Sequence, residues 1–319
     1  MAIEPSNSQT NRNRIMDSFE INVLGCGSAL PTTKHFLSSQ VVNLRSKLYM
    51  IDCAEGTQIQ FRAMKLNFNR LNCIFISHLH GDHCFGLPGL ISTMALLGRT
   101  ADLHIHAHPE AEKVFQPMLD YFCRELPYKV NFHSFNPDNS ELIFEDRSLK
   151  VYTIPLKHRI PTAGFLFEEK PKSSHIIREM IDFYQVPIKQ INDIKNGADF
   201  ITEEGTVIPN KLLTKPADLS HRYAYCSDTA YSEDIIPLIE GIDLLYHEST
   251  FSEEDAAKAV STYHSTAKQA AQIAKAANVK KLLLGHFSAR YPNETILLKE
   301  AQEIFPNTVL ASEKMVVKF

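Results

Sequence analysis

The stretch Ser77-His78-Leu79-His80-Gly81-Asp82-His83 packs three imidazoles and a carboxylate directly behind the apolar run Cys73 to Ile76. Imidazole suits zinc, and a carboxylate can complete or bridge its coordination, so one tight loop here can wrap metal and can feed two ions. Four donors cannot close two sites. Further donors stand at His158, Asp228 and His286, each at the carboxyl end of an apolar run: Leu149 to Pro155, Tyr223 to Ser227 and Lys281 to Gly285. Open α/β sheets gather their sites at that edge. Asp52 ends another such run. A carboxylate there can accept the free N–H of a ligating histidine and fix its tautomer, with a turn-forming role before Gly56 as the competing reading.

These donors need a scaffold, and the hydrophobic pattern supplies one. Strands are expected at Phe19 to Leu24, Gln40 to Leu44, Lys47 to Asp52, Asn72 to Ser77, Leu103 to His108, Val130 to Phe135, Leu142 to Phe144, Leu149 to Pro155, Gly164 to Phe167, Tyr223 to Ser227, Asp243 to Tyr246 and Lys281 to Leu284. Helical spacing covers Gln58 to Met64, Leu87 to Leu97, Pro109 to Leu119 and the Ala-rich Thr266 to Ala277, while His78 to Gly86 reads as a tight polar loop. The alternation argues an α/β fold. Glu168 to Gly197 breaks the rhythm: polar, mixed in charge and punctuated by Pro171 and Pro187, it reads as an insertion between core strands. Residues 1–18 read as a polar tail without the apolar centre of a secretory signal, and Met16 is a second candidate start.

Composition narrows the function classes. With 33 Lys+Arg against 37 Asp+Glu in 319 residues, the formal charge is −4, so a nucleic-acid partner must be held by a local patch, by metal or by shape. The chain is 44% hydrophobic, yet no run approaches the roughly 18 apolar residues of a membrane span. Six cysteines without a C-x-x-C pair suggest reduced thiols in a cytosolic compartment. Cys84 and Cys226 neighbour proposed ligands but are expected as buried thiols. His104, His106 and His108 alternate along one strand and are expected to face solvent.

The motif H-x-H-x-D-H with later His, Asp and His resembles the metallo-β-lactamase superfamily, whose αβ/βα four-layer sandwich carries two zinc ions at one edge. Within it the chain resembles the RNase Z family of tRNA 3′-processing endonucleases. The motifs carrying this are His247-Glu248-Ser249-Thr250, His264-Ser265-Thr266 and Gly285-His286-Phe287-Ser288-Ala289-Arg290-Tyr291, and the similarity runs from about Phe19 to the C-terminus. It implies two Zn2+ per subunit, or Mn2+ or another divalent ion. His78, His80 and His158 would hold one, Asp82, His83 and His286 the other, and Asp228 would bridge them. Zinc ions about 3.5 to 4 Å apart bring a shared water to hydroxide near neutral pH and clamp a phosphodiester. The family assigns Asp82 the water's proton. His264 is the natural donor to the leaving ribose oxygen, oriented by Glu248, against a reading in which Ser265 or Thr266 merely caps the next helix.

The resemblance further implies a cytoplasmic homodimer acting on precursor tRNA, with 168–197 as a substrate-binding arm. The Gly-rich turn Gly25-Cys26-Gly27-Ser28 resembles the family's phosphate loop, but Thr32-Thr33-Lys34-His35-Phe36 follows where many members carry an Arg-Asn pair. Lys34, Ser288 and Arg290 are the expected substrate contacts. Two other functions compete: a thioester or lactone hydrolase of the same fold, and a non-catalytic RNA-binding module with structural zinc.

Overall fold

The computed structural model describes residues 19–319, so the expected N-terminal tail and the Met1/Met16 question lie outside the described residues. β1 (Phe19–Gly25), β2 (Ser39–Leu44), β3 (Lys47–Ile51), β4 (Leu71–Phe75), β5 (Leu103–Ala107) and β6 (Val130–Ser134) lie side by side in chain order. The C-terminal strand Val316–Lys318 (β18) adds antiparallel to β1 and completes seven strands. A second seven-stranded sheet holds β7 (Leu142–Glu145), β8 (Leu149–Pro155), β9 (Ala163–Glu169), β14 (Arg222–Cys226), β15 (Leu244–Glu248), β16 (Leu282–Gly285) and β17 (Thr308–Leu310), in the order β17-β16-β15-β14-β9-β8-β7.

Period-two alternation packs these sheets face to face. Tyr49, Ile51, Cys73 and Phe75 point into the core between the sheets, while their neighbours Leu48, Met50, Ile74 and Ile76 point outward beneath helices. Phe75 meets Phe165 and Phe167 of the other sheet at ring distances of 5.6 and 5.5 Å. Truncating that buried ring to alanine is expected to cost about 3–5 kcal/mol. On the outer face of the first sheet lie helices Thr57–Ala63, Leu87–Leu96 and Glu110–Phe122, anchored by Phe61, Leu90, Ile91, Met94, Phe115 and Leu119. Helix Ala267–Ala276 buries Ala270, Ala271 and Ala274, small enough to lie close to the second sheet and to helix Thr295–Gln302. The result is a helix–sheet–sheet–helix sandwich, the expected four layers.

Between Glu169 and Arg222 the chain leaves the second sheet for longer than the expected 168–197. His175–Ile176 (β10) pairs with Thr214–Lys215 (β13), and Phe200–Ile201 (β11) with Val207–Ile208 (β12). A core of Ile181, Val186, Ile194, Phe200, Ile208 and Leu213 holds this excursion together. Two-residue strands leave no periodic signal, which hides its true end from sequence reading.

Three further differences have physical causes. The expected loop after β4 contains one helical turn, Gly81–Cys84. Helix Thr295–Gln302 and strands β17 and β18 went unexpected, being short and only partly apolar. The expectation of a solvent-facing histidine row fails at His106, which is 6% exposed and stacks on Phe75 at 4.9 Å and on His133 at 4.8 Å. The second sheet's Phe144 covers it, 5.7 Å away, so that face of β5 is interior.

Candidate active site

Five histidines and two aspartates converge where strands of both sheets end. His78, His80, Asp82 and His83 come from the turn after β4; His158, Asp228 and His286 follow β8, β14 and β16. Asp52, Asp228 and His286 each sit just past a strand with φ of 55°, 57° and 58°. Left-handed backbone at a non-glycine residue costs energy, and here it turns each side chain back over the sheet edge.

The side chains form two groups that share Asp228: His78, His80 and His158 on one side, Asp82, His83 and His286 on the other. Asp228 Oδ2 lies 3.6 and 3.7 Å from Nε2 of His78 and His158. Its Oδ1 lies 3.0 Å from Nε2 of both His83 and His286. Those two buried nitrogens nevertheless have no hydrogen-bond partner, because the contacts are close but poorly aimed. Buried polar atoms are normally satisfied, so orphaned nitrogens gathered around a shared carboxylate fit the donor set of a metal centre. Burial holds the pKa of His78, His80 and His158 below the ordinary imidazole range, leaving them neutral as ligation requires. Burial opposes ionisation of Asp82, but the neighbouring His83 and His286 together outweigh it and keep that carboxyl below its usual range.

Outer contacts fix the ring orientations. His83 Nδ1 lies 2.7 Å from Asp52 Oδ2, and the fully buried Asp52 also accepts from Ser77 N, Ser77 Oγ and the Tyr225 hydroxyl at 2.8, 2.9 and 2.8 Å. His158 Nδ1 faces the Tyr263 carbonyl at 3.0 Å, and His286 Nδ1 faces Thr250 Oγ1 at 2.9 Å.

Beside the two groups, His264 Nδ1 sits 2.8 Å from Glu248 Oε1. Burial disfavours an imidazolium there, but the charge and hydrogen bond of Glu248 outweigh it and raise the pKa to about 9. Glu248 is fully buried and also accepts from Thr229 N, Thr250 Oγ1 and Ser265 N. Thr266 caps the following helix in a capping box with Gln269, so the cap and the His264–Glu248 pair coexist in neighbouring residues.

A cleft of about 430 Å³ opens over the centre, lined by His80, Asp82, His158, Asp228, His264 and His286, with Phe85 and Arg159 at its wall. Sequence reading missed Arg159 and Phe85, and it missed the Ala29 N–H that donates to Asp82 Oδ2 at 2.8 Å. The adjacency of Arg159 to His158 was the available signal. Lys34, Ser288 and Arg290 lie apart from this cleft. Lys34 and Ser288 line a neighbouring hollow, and Lys34 is paired with Glu294. Arg290 pairs with Asp255 at 3.3 Å and lies over the Phe251 ring at 4.7 Å. Cys84 and Cys226 are buried free thiols, Cys84 directed to the His80 carbonyl at 3.1 Å.

Comparison with known proteins places relatives around this arrangement. Residues 19–171 match the family model described as anti-Pycsar protein Apyc1, and residues 216–287 match the beta-lactamase superfamily domain. The chain is 62% identical to a ribonuclease Z of Parabacteroides distasonis over 94% of its own length and 99% of the relative's. It is 61% identical to a ribonuclease Z of Bacteroides thetaiotaomicron over 95% and 96% of the two chains. Among solved structures, human tRNase Z, short form, superposes with a TM-score of 0.67 at 25% identity, covering 93% of this chain and 98% of that one.

Proposed function

The chain belongs to the ribonuclease Z family, and on that premise we propose that its five clustered histidines and two aspartates hold two divalent ions, zinc foremost, with Asp228 between them. It is a hydrolytic endoribonuclease that removes the 3′ trailer of precursor tRNA. The observation that carries the site assignment is the pair of ligand groups sharing one buried carboxylate, each oxygen facing a different group. Two ions held there would bring a shared water's pKa towards neutrality and offset the charge that grows on the phosphodiester.

The protein's own groups supply the rest. Asp82, ionised and held by the Ala29 N–H, faces the cleft and takes the attacking water's proton. His264 carries its proton on the side of the leaving ribose 3′-oxygen, with Glu248 holding the imidazolium in place. Divalent ions held beside it would lower the value of about 9 and bring the donor towards the working pH. Arg159 offers a cation to an incoming phosphate. Asp52 orients His83, a task supported by their 2.7 Å contact.

The excursion between β9 and β14 is our candidate tRNA-gripping arm. Its Lys170, Lys172 and Arg178 pair with Glu145, Glu169 and Asp182, so its exposed Phe183, Ile188 and Ile201 and its other lysines, Lys189, Lys195, Lys211 and Lys215, are the better candidates for contact. A homodimer is supported by the exposed Val114, Met118, Tyr121 and Phe122 on helix Glu110–Phe122, an apolar strip suited to a partner copy. A cytoplasmic site of action agrees with six free cysteines and with no described helix long and apolar enough to cross a membrane.

Incubation with a 3′-extended precursor tRNA, followed by sequencing of product ends, tests the reading. A single cut leaving a tRNA 3′-hydroxyl is expected. Turnover of a thioester far above that of bis(p-nitrophenyl) phosphate, with no cut in the RNA, would move the assignment to a thioester hydrolase.

A further inference from the structure

The loop after β1 is fastened to the C-terminal segment by side chains that belong to neither ligand group of the active site. Cys26 Sγ lies 3.4 Å from His35 Nδ1 and 3.6 Å from Glu313 Oε1. His35 Nδ1 in turn lies 3.2 and 3.1 Å from the two Glu313 oxygens. Cys26 is fully buried, and the His35 and Glu313 side chains are 14% and 16% exposed. We propose that Cys26, His35 and Glu313 form a separate metal site for a zinc-like divalent cation, stapling this loop to the end of the chain.

Geometry, charge and outer contacts each support the assignment. A tetrahedral zinc with bonds of about 2.3 Å to sulfur and about 2.0–2.2 Å to nitrogen and oxygen spaces its ligand atoms roughly 3.3–3.6 Å apart. With Glu313 Oε1 as the carboxylate ligand, the three pairs here are separated by 3.2 to 3.6 Å. A thiolate and a carboxylate neutralise a divalent charge, and the sulfur favours zinc over magnesium or calcium. Binding moves the Cys26 thiol proton to solvent and forms a metal–sulfur bond in its place. Solvent takes the fourth position.

The far side of the imidazole has the partner that metal-bound histidines usually have. His35 Nε2 faces Glu294 Oε1 at 3.2 Å, and Lys34 holds that carboxylate. A ligating histidine commonly directs its other nitrogen to a carboxylate, as His83 does with Asp52 here. The staple also reaches the active site through the backbone. Phe287 N donates to the Cys26 carbonyl at 2.9 Å, next to His286, and Ala29 N donates to Asp82.

Cobalt titration of metal-stripped, full-length protein tests the site without reading activity. The His/Asp centre contains no sulfur, so a thiolate-to-cobalt charge-transfer band in the near ultraviolet reports only a cysteine ligand. The wild type is expected to develop this band with one ion per chain, and Cys26→Ser to lack it. Zinc content should fall by one ion per chain in Cys26→Ser, whatever the active site holds. Glu294→Gln should weaken the cobalt affinity about tenfold or more. No band in the wild type, or an undiminished band in Cys26→Ser, would overturn the proposal. Should Cys26→Ser fail to fold, His35→Gln and Glu313→Gln decide: lost or weakened binding supports the site, and wild-type affinity in both overturns it.

Discussion

Replacing His264 with alanine separates proton donation from metal holding. Its side chain is 12% exposed, lies 2.8 Å from Glu248, and has a pKa raised to about 9 despite burial. A group with that pKa is largely protonated at pH 7, and ions bound beside it would lower the figure. Loss of a general acid typically costs about 10²–10⁴ in rate, or about 3–5 kcal/mol of barrier. That loss should fall on precursor tRNA, whose ribose oxygen leaves poorly without a proton. Bis(p-nitrophenyl) phosphate expels a stable anion, so the same variant should lose less than about tenfold on it. Measuring both rates beside metal content completes the assay. Equal losses on the two substrates, or loss of metal from the variant, would refute proton donation by His264.

Glu248→Gln removes the charge that raises the His264 pKa, so the alkaline limb of the cleavage profile should move to lower pH; an unmoved limb would dissociate the pair from the rate. In metal-stripped protein the same pair stabilises the fold fully below about pH 6.5, the ordinary histidine value, and the contribution is lost as pH rises through about 9. The difference in melting temperature between wild type and His264→Ala should narrow across that window. Asp52→Asn should weaken metal affinity about 10–100-fold in a chelator competition, because His83 loses its anionic partner. Gly86→Ala should destabilise the protein by more than about 3 kcal/mol in denaturant melts, since its Cβ would lie 1.9 Å from the Ala54 carbonyl oxygen.

The clustering of the candidate site was legible because it is written in residue types that rarely fall together. His78, His80, Asp82 and His83 stand within one turn, and the later candidate ligands each close a long apolar run, so sheet topology brings them to a common edge. The core strands were legible for the same reason: β3 and β4 are buried on both faces and read as apolar runs. What escaped depends on long-range packing. His106 alternates like a half-exposed strand residue, and only the other sheet's Phe144 makes its face interior. The left-handed turns at Asp228 and His286 and the pairing of Lys34 with Glu294 involve residues whose partners or backbone the local sequence does not announce. The excursion's end at β13 is fixed by two residues pairing with β10, too few to leave a pattern.

The most direct measurement compares wild-type protein with Asp228→Ala for metal content and for cleavage of one 3′-extended precursor tRNA. Because both ligand groups lean on this one carboxylate, the variant should lose metal and cleavage together, while the metal-loaded wild type makes a single cut leaving a tRNA 3′-hydroxyl. A variant that keeps its metal and cuts at the wild-type rate, or a metal-loaded wild type that never cuts, would contradict the account.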